Sequence, residues 1–171
     1  ILIIPANDCY SLQTNKKAEF ELEKWVSNGG IIIHSPNDKL IENALGILGK
    51  KYEQDAIFYK AEGYLPQSEI YFSYEGEEIL SKYAKNNLGS IVRKKYGKGE
   101  IYSFGFYYGY SYCSKIIPHV PIEYKNDAFY PISMMKSDIL HDILLRYEKP
   151  FSFNGKNIEI SEFKNGVIII N

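Results

Sequence analysis

The sequence predicts an α/β fold, a mixed, mostly parallel sheet flanked by helices, with a C-terminal β-hairpin. Three observations predict it. Residues 14–35, TNKKAEFELEKWVSNGGIIIHS, read as a helix, a two-glycine stop and a buried strand, and residues 1–5, ILIIP, form a second apolar run. Strand, helix and strand in succession make a βαβ unit, whose strands run parallel. Residues 90–104 read as an antiparallel pair turning at Tyr96-Gly97-Lys98-Gly99, and residues 157–170 as another turning at Asn165-Gly166.

Residues 1–5 and 31–33 are short continuous apolar runs, the pattern of strands covered on both faces. In the helix between them, Thr14 or Asn15 can accept the orphan N–H bonds of the first turn. Ala18, Leu22, Trp25 and Val26 recur at helical spacing as one apolar stripe, with Glu21 and Glu23 on the wet side. Gly29 can end the helix in a left-handed conformation. Residues 6–13, with Asn7, Asp8, Cys9 and Tyr10, follow the first strand. They fall at the carboxyl edge where open α/β sheets bind ligands. Their composition equally suits an Asn- and Asp-rich turn. His34 ends the second strand on the same edge and is the best-placed histidine for chemistry, although a lone strand-end histidine is more often structural. Asp38 or Asn37 can cap a short helix through Leu40, Ile41, Ala44 and Leu45, closed by Gly46 and Gly49.

Residues 51–68 carry scattered aromatics and Pro66 and fit strands or a loop excursion. Residues 69–74 alternate weakly as a strand, and 77–83 read as a short helix. Residues 90–95 form a strand with Ile91 and Val92 inside, returning through 100–104 with Ile101 and either Tyr102 or Phe104 packed. Such a hairpin on a parallel sheet is expected at its edge. Residues 105–112, GFYYGYSY, are a glycine and aromatic loop, in which Tyr107, Tyr108, Tyr110 and Tyr112 could stack on a sugar or pack under neighbouring elements. Pro118, Pro121 and Pro131 make 115–131 an extended connection. Ser137 can cap a last helix over 138–147 with Ile139, Leu140, Ile143, Leu144 and Tyr147 buried and His141 solvated. Asn165-Gly166 is a strong two-residue turn signal.

Length and charge narrow the function. A chain of 171 residues can bury roughly 70% of its unfolded surface. The net charge of −1 gives no electrostatic basis for binding nucleic acid or an anionic membrane, so neither is an expected partner. Ile1 is not a start methionine, and the sequence reads as a segment of something longer. The compartment is not indicated. Cys9 and Cys113 can pair or stay free, and free thiols suit a chain large enough to need no staple. His34, His119 and His141 have no ligand spacing, so no metal site is expected. No Gly-x-Gly-x-x-Gly or Gly-x-x-x-x-Gly-Lys occurs, and no cofactor is expected. No nucleophile elbow surrounds a serine or either cysteine. The alternative catalytic reading, a small cysteine-dependent hydrolase or amidotransferase relative, would rest on Cys9 or Cys113 acting with His34. Glu75, Glu77 and Glu78 could include a glycosidase-type acid, but such carboxylates act as a spatially arranged pair, and clustered charge in a loop is usually a solvated face.

The LIIP-type strand, the helix ending in WVSNGG and the III strand resemble the glutamine amidotransferase-like, flavodoxin-like domains. RKKYGKGEIYSFG resembles the glycine-lysine-glycine strand pair of one branch, the trimerisation domain of β-galactosidases and related multidomain glycoside hydrolases. There the domain follows a catalytic barrel and precedes a small β-domain, whose start IEISEFKNGVIIIN resembles. The similarity covers residues 1–106 and the final hairpin. It implies an amidotransferase-like domain over 1–149, lacking its first strand and helix, and a β-hairpin over 150–171. Where an amidotransferase would carry its cysteine, the chain reads His34-Ser35-Pro36-Asn37. The resemblance therefore implies a non-catalytic accessory module. Its expected partners are the catalytic domain of the same parent chain, a second copy in a homo-oligomer, and carbohydrate. A plain sugar-binding module is the remaining alternative.

Overall fold

The computed structural model describes residues 1–4, 15–36, 38–60, 62–66, 68–108, 134–147, 159–163 and 166–170. The 6–13 loop, Cys9, Tyr110, Tyr112, Cys113, the 115–131 connection and Asn165 lie outside them. The chain divides into two compact units, Ile1–Ile139 and Leu140–Asn171.

The first unit begins with the expected βαβ: β1 (Leu2–Ile4), α1 (Lys16–Ser27) and β2 (Ile31–His34). Asn15 is the cap, its side chain accepting from the Ala18 N–H at 2.8 Å. Val26 is fully buried and Leu22 packs on the same core, while Glu21 and Glu23 are exposed. Trp25 departs from the expected buried stripe and is 41% exposed. It lies at the helix end, where its indole covers Gly30 so closely that a Cβ there would come within 2.5 Å of the ring. Glu19 instead turns inward and accepts from Asn43 Nδ2 at 3.2 Å, tying α1 to α2 (Lys39–Leu45). The N-terminus of α2 is capped by Asp38, and Gly46 ends it with φ +64°.

Beyond α2 come β3 (Lys50–Tyr52), β4 (Ile57–Tyr59), β5 (Glu62–Tyr64), β6 (Tyr71–Ser73), β7 (Glu78–Tyr83), β8 (Gly89–Tyr96) and β9 (Gly99–Phe104). Strands β3 and β6 form a separate two-stranded sheet. The main sheet has seven strands in the order β1-β2-β9-β8-β7-β4-β5. Only β1–β2 and β2–β9 pair parallel; β9–β8, β8–β7, β7–β4 and β4–β5 are antiparallel. The expected mostly parallel sheet is thus corrected to a mixed, mostly antiparallel one. The β8–β9 hairpin, expected at an edge, is central. Both departures follow from β7, expected as a helix. Residues 78–83 lie between β4 and β8, and Ser81 and Tyr83 are buried while Lys82 is exposed, a period of two. Cross-strand pairing on both sides overrides the helix preference of Glu, Leu and Lys.

Among the described residues β1 is an edge, not a covered strand: Leu2 and Ile3, with Ile1 before them, are 39%, 52% and 46% exposed. The helical face of the sheet buries Ile4, Ile32, Ile101 and Val92 against Val26, Ile41 and Leu45. Ile33, Tyr102, Phe104 and Ile91 are also buried. The β8–β9 turn seats on the carboxyl end of α1. A Cβ at Gly99 would lie 2.2 Å from the carbonyl oxygens of Val26 and Gly30, and Gly97 takes φ +60°. The Lys98 N–H then donates to the Ser27 carbonyl at 2.9 Å. The glycine-lysine-glycine motif is a packing device, set by the approach of two backbones.

Helix α3 spans Met134–Leu144, so Ser137 lies inside it and is not its cap. The periodicity of Ile139 and Ile143, both buried, gives the helix, but it is entered one turn earlier than expected. His141 is exposed, as expected. In the second unit β10 (Glu159–Phe163) and β11 (Gly166–Ile170) pair antiparallel, with Phe163 opposite Gly166.

Candidate functional site

The carboxyl ends of β2 and β9 bring chemistry-bearing side chains together. The parallel register sets His34 beside Ser103. His34 Nε2 is 2.7 Å from Ser103 Oγ, and Nδ1 is 2.9 Å from the Ser35 carbonyl. A carbonyl only accepts, so Nδ1 carries the proton, and Nε2 accepts from the serine hydroxyl. His34 is 2% exposed. Burial pushes its pKa down to about 4, against partial opposition from the Ser35 hydrogen bond and the Asp38 charge. The ring is therefore neutral at pH 7. Tyr74 meets it edge-on at a centroid distance of 5.7 Å.

Asp38 lies on the same edge and is 6% exposed. Its Oδ1 accepts from the Leu40 and Ile41 N–H groups at 2.9 and 3.1 Å, the geometry of an N-cap. Its Oδ2 is buried and has no hydrogen-bond partner among the described residues. Further along the sheet, Tyr83 donates to the carbonyls of Phe72 (2.8 Å) and Gly105 (3.1 Å), and burial pushes its phenol pKa up.

A serine hydroxyl donating to a neutral imidazole has the composition of an activated nucleophile. The setting removes that use. Ser103 is 1% exposed, near the end of β9 between the buried Tyr102 and Phe104, and both ring nitrogens of His34 are occupied. The pair joins β2 to β9 through side chains. Ser103→Ala should therefore destabilise the chain by about 2 kcal/mol, because it strands a buried acceptor at Nε2. Urea unfolding measures this; a loss below about 0.5 kcal/mol would show that the bond is not holding the strands.

Of the sequence candidates, His34 is on this edge. Tyr107 is buried, and Tyr108 is half-buried with its ring edge-on to Phe104 at 5.1 Å. The backbone N–H of Tyr107 donates to Ser68 Oγ at 3.0 Å. Tyr110, Tyr112, Cys9 and Cys113 lie outside the described residues. No group of three metal-ligating side chains is close enough to hold an ion among the described residues. Sequence reasoning missed Ser103. The signal was present: Gly30 to His34 and Gly99 to Ser103 have equal spacing, so glycine-started parallel neighbours place the two in register.

No protein-family profile matches the sequence, and no curated protein matches it. Solved structures do. A catalytic mutant of a GH42 β-galactosidase from G. stearothermophilus matches with a TM-score of 0.53 at 11% identity, covering 92% of this chain and 22% of that one. The same GH42 β-galactosidase without that mutation matches with a TM-score of 0.51 at 10% identity, covering 94% and 22%. An exo-β-1,4-mannosidase from Opitutaceae bacterium strain TAV5 matches with a TM-score of 0.46 at 17% identity, covering 60% and 20%. The chain thus spans about a fifth of the length of these solved enzymes, and the two GH42 likenesses show a shared fold.

Proposed function

We propose that this chain is a non-catalytic accessory module of a carbohydrate-active enzyme, making interdomain or oligomer contacts. The observation that carries the reading is the extent of the fold match, nearly all of this chain against 22% of a much longer β-galactosidase. The closed His34–Ser103 pair supports it, since the histidine–serine arrangement at the carboxyl ends of β2 and β9 is inaccessible. The finer placement, an amidotransferase-like, flavodoxin-like module of the β-galactosidase trimerisation type, rests on WVSNGG, III and RKKYGKGEIYSFG. The seating of that turn on α1 supports it by giving the motif a structural purpose.

The exposed edge of β1 favours a contact role. Ile1 and Ile3 are about half exposed, and α1 adds Phe20 at 60% and Trp25 at 41%. Apolar side chains of this size on a strand edge that is unpaired among the described residues mark interaction surfaces. Ile3→Lys should leave the module folded, because the site is already half in water, yet weaken assembly of the intact parent enzyme by light scattering. A parent that is monomeric, with this module detached from its neighbours, would overturn the contact role. Loss of activity on deleting the module, with assembly unchanged, would point to a role at a sugar site instead.

A further inference from the structure

We propose that a cleft beside the carboxyl end of α2 binds the carboxylate of an acidic monosaccharide. The cleft has a volume of about 300 Å³. It exists because Gly46 turns the chain out of α2 with a left-handed φ. Ile47 then points into the core, and Leu48 is left 72% exposed at the rim. Leu88, 43% exposed, lines the cleft as well, and the buried Tyr74 adds a wall. This is the same Tyr74 that meets His34 edge-on.

Three ionised groups line it: Lys50, Glu75 and Lys94. Lys50 Nζ is 2.8 Å from Glu75 Oε1. The Lys50 hydrogen bond and charge, with Lys94 adding a smaller attraction, hold the Glu75 carboxyl below the usual range. Two ammoniums against one carboxylate leave the cleft with one net positive charge. That charge selects a singly anionic ligand over a neutral one. The Leu48 and Leu88 side chains offer apolar surface to the C–H face of a pyranose ring. The Lys50–Glu75 pair offers a donor and an acceptor to its hydroxyls. The volume is at the small end of ligand sites, which suits a single ring.

The sugar class rests on the carbohydrate reading above; the charge argument does not. Calorimetric titration of the 171-residue chain with D-galacturonate, D-galactose and propionate separates them. Galacturonate should saturate, with galactose and propionate each weaker by about tenfold or more, since each lacks one half of the recognition. Lys94→Gln should weaken galacturonate by about tenfold, and Lys94→Arg should retain it. Lys17→Gln, on α1, should change nothing. Absence of saturation by galacturonate, or an affinity indifferent to Lys94→Gln in a variant with an unchanged melting curve, overturns the site. Propionate binding as tightly as galacturonate overturns the sugar assignment. None of these outcomes touches the accessory-module reading, which is decided by assembly of the parent enzyme.

Discussion

Replacing Gly105 by alanine is expected to destabilise the chain by about 3 kcal/mol, at the upper end of the usual range for overpacking a closed core. Gly105 follows β9 where three segments cross. Its N–H donates to the Ser90 carbonyl at 2.7 Å, and its carbonyl accepts from the Phe72 N–H at 2.7 Å and from the Tyr83 hydroxyl at 3.1 Å. A Cβ would be 2.0 Å from the Phe72 carbonyl oxygen and 2.7 Å from the Tyr83 hydroxyl. The first contact is with backbone and cannot be relieved by a rotamer change. Moving β6 away breaks the hydrogen bond from Phe72 and disturbs the one that Tyr83 makes to the same carbonyl.

Gly46→Ala provides the contrast. Gly46 has a left-handed φ but nothing within 4 Å of an added Cβ. Its cost is only the backbone term, about 1 kcal/mol. Urea unfolding followed by Trp25 fluorescence compares the two. Equal costs would mean that the crossing at Gly105 relaxes freely, and that the β6–β9 junction is not a fixed point of the fold.

That junction shows what a sequence reveals and what it withholds. The βαβ unit was readable because its signals are local: an Asn cap, a stripe at helical spacing, a two-glycine stop and an apolar run. Asp38 and Gly46 announced α2 in the same way. The turn at residues 96–99 was readable too, although the reason for its second glycine, two carbonyls of α1 at 2.2 Å, was not. Residues 77–83 misled because EEILSKY is locally consistent with a helix, and its strand state is imposed by β4 and β8. Sheet order was hidden for the same reason. It depends on pairings such as Ile32 with Ile101, which no local pattern encodes.

The candidate site divides along that line. His34 was visible as a histidine ending a strand. Its partner went unread, although the equal Gly30–His34 and Gly99–Ser103 spacings carry the register, because Ser103 is 69 residues away and acquires its role only through the parallel β2–β9 pairing. The Lys50, Glu75 and Lys94 cleft was equally invisible, since β3, β6 and β8 had to be assembled before those charges met. Exposure also resisted prediction. Trp25 falls on an apolar stripe, yet it lies at the helix end, over the Gly30 backbone rather than under the sheet.

The second large effect is a pH dependence carried by His34. In the unfolded chain the imidazole titrates near 6.5; folded, burial depresses it to about 4. Between those values the unfolded chain binds a proton that the folded chain refuses, so stability rises with pH through this window. The contribution is complete above about pH 6.5 and is lost progressively as pH falls to about 4, a total of roughly 3 kcal/mol at 1.36 kcal/mol per unit. Carboxylates add their own slope at low pH, so the informative quantity is a difference. His34→Gln should be less stable than the parent sequence at pH 7.5, through lost packing and a disturbed Ser103 bond. Its stability should then fall less steeply between pH 6.5 and 4.5, so that the two urea-derived curves converge. The ring itself gives a second reading. In proton NMR the His34 resonance, assigned by its absence from His34→Gln, should stay at its neutral position down to pH 5. Parallel stability curves, or a His34 midpoint near 6.5 in the folded chain, would mean that water reaches the imidazole. The carboxyl edge of β2 and β9 would then be open, and the closed Ser103–His34 pair would again be a candidate for chemistry.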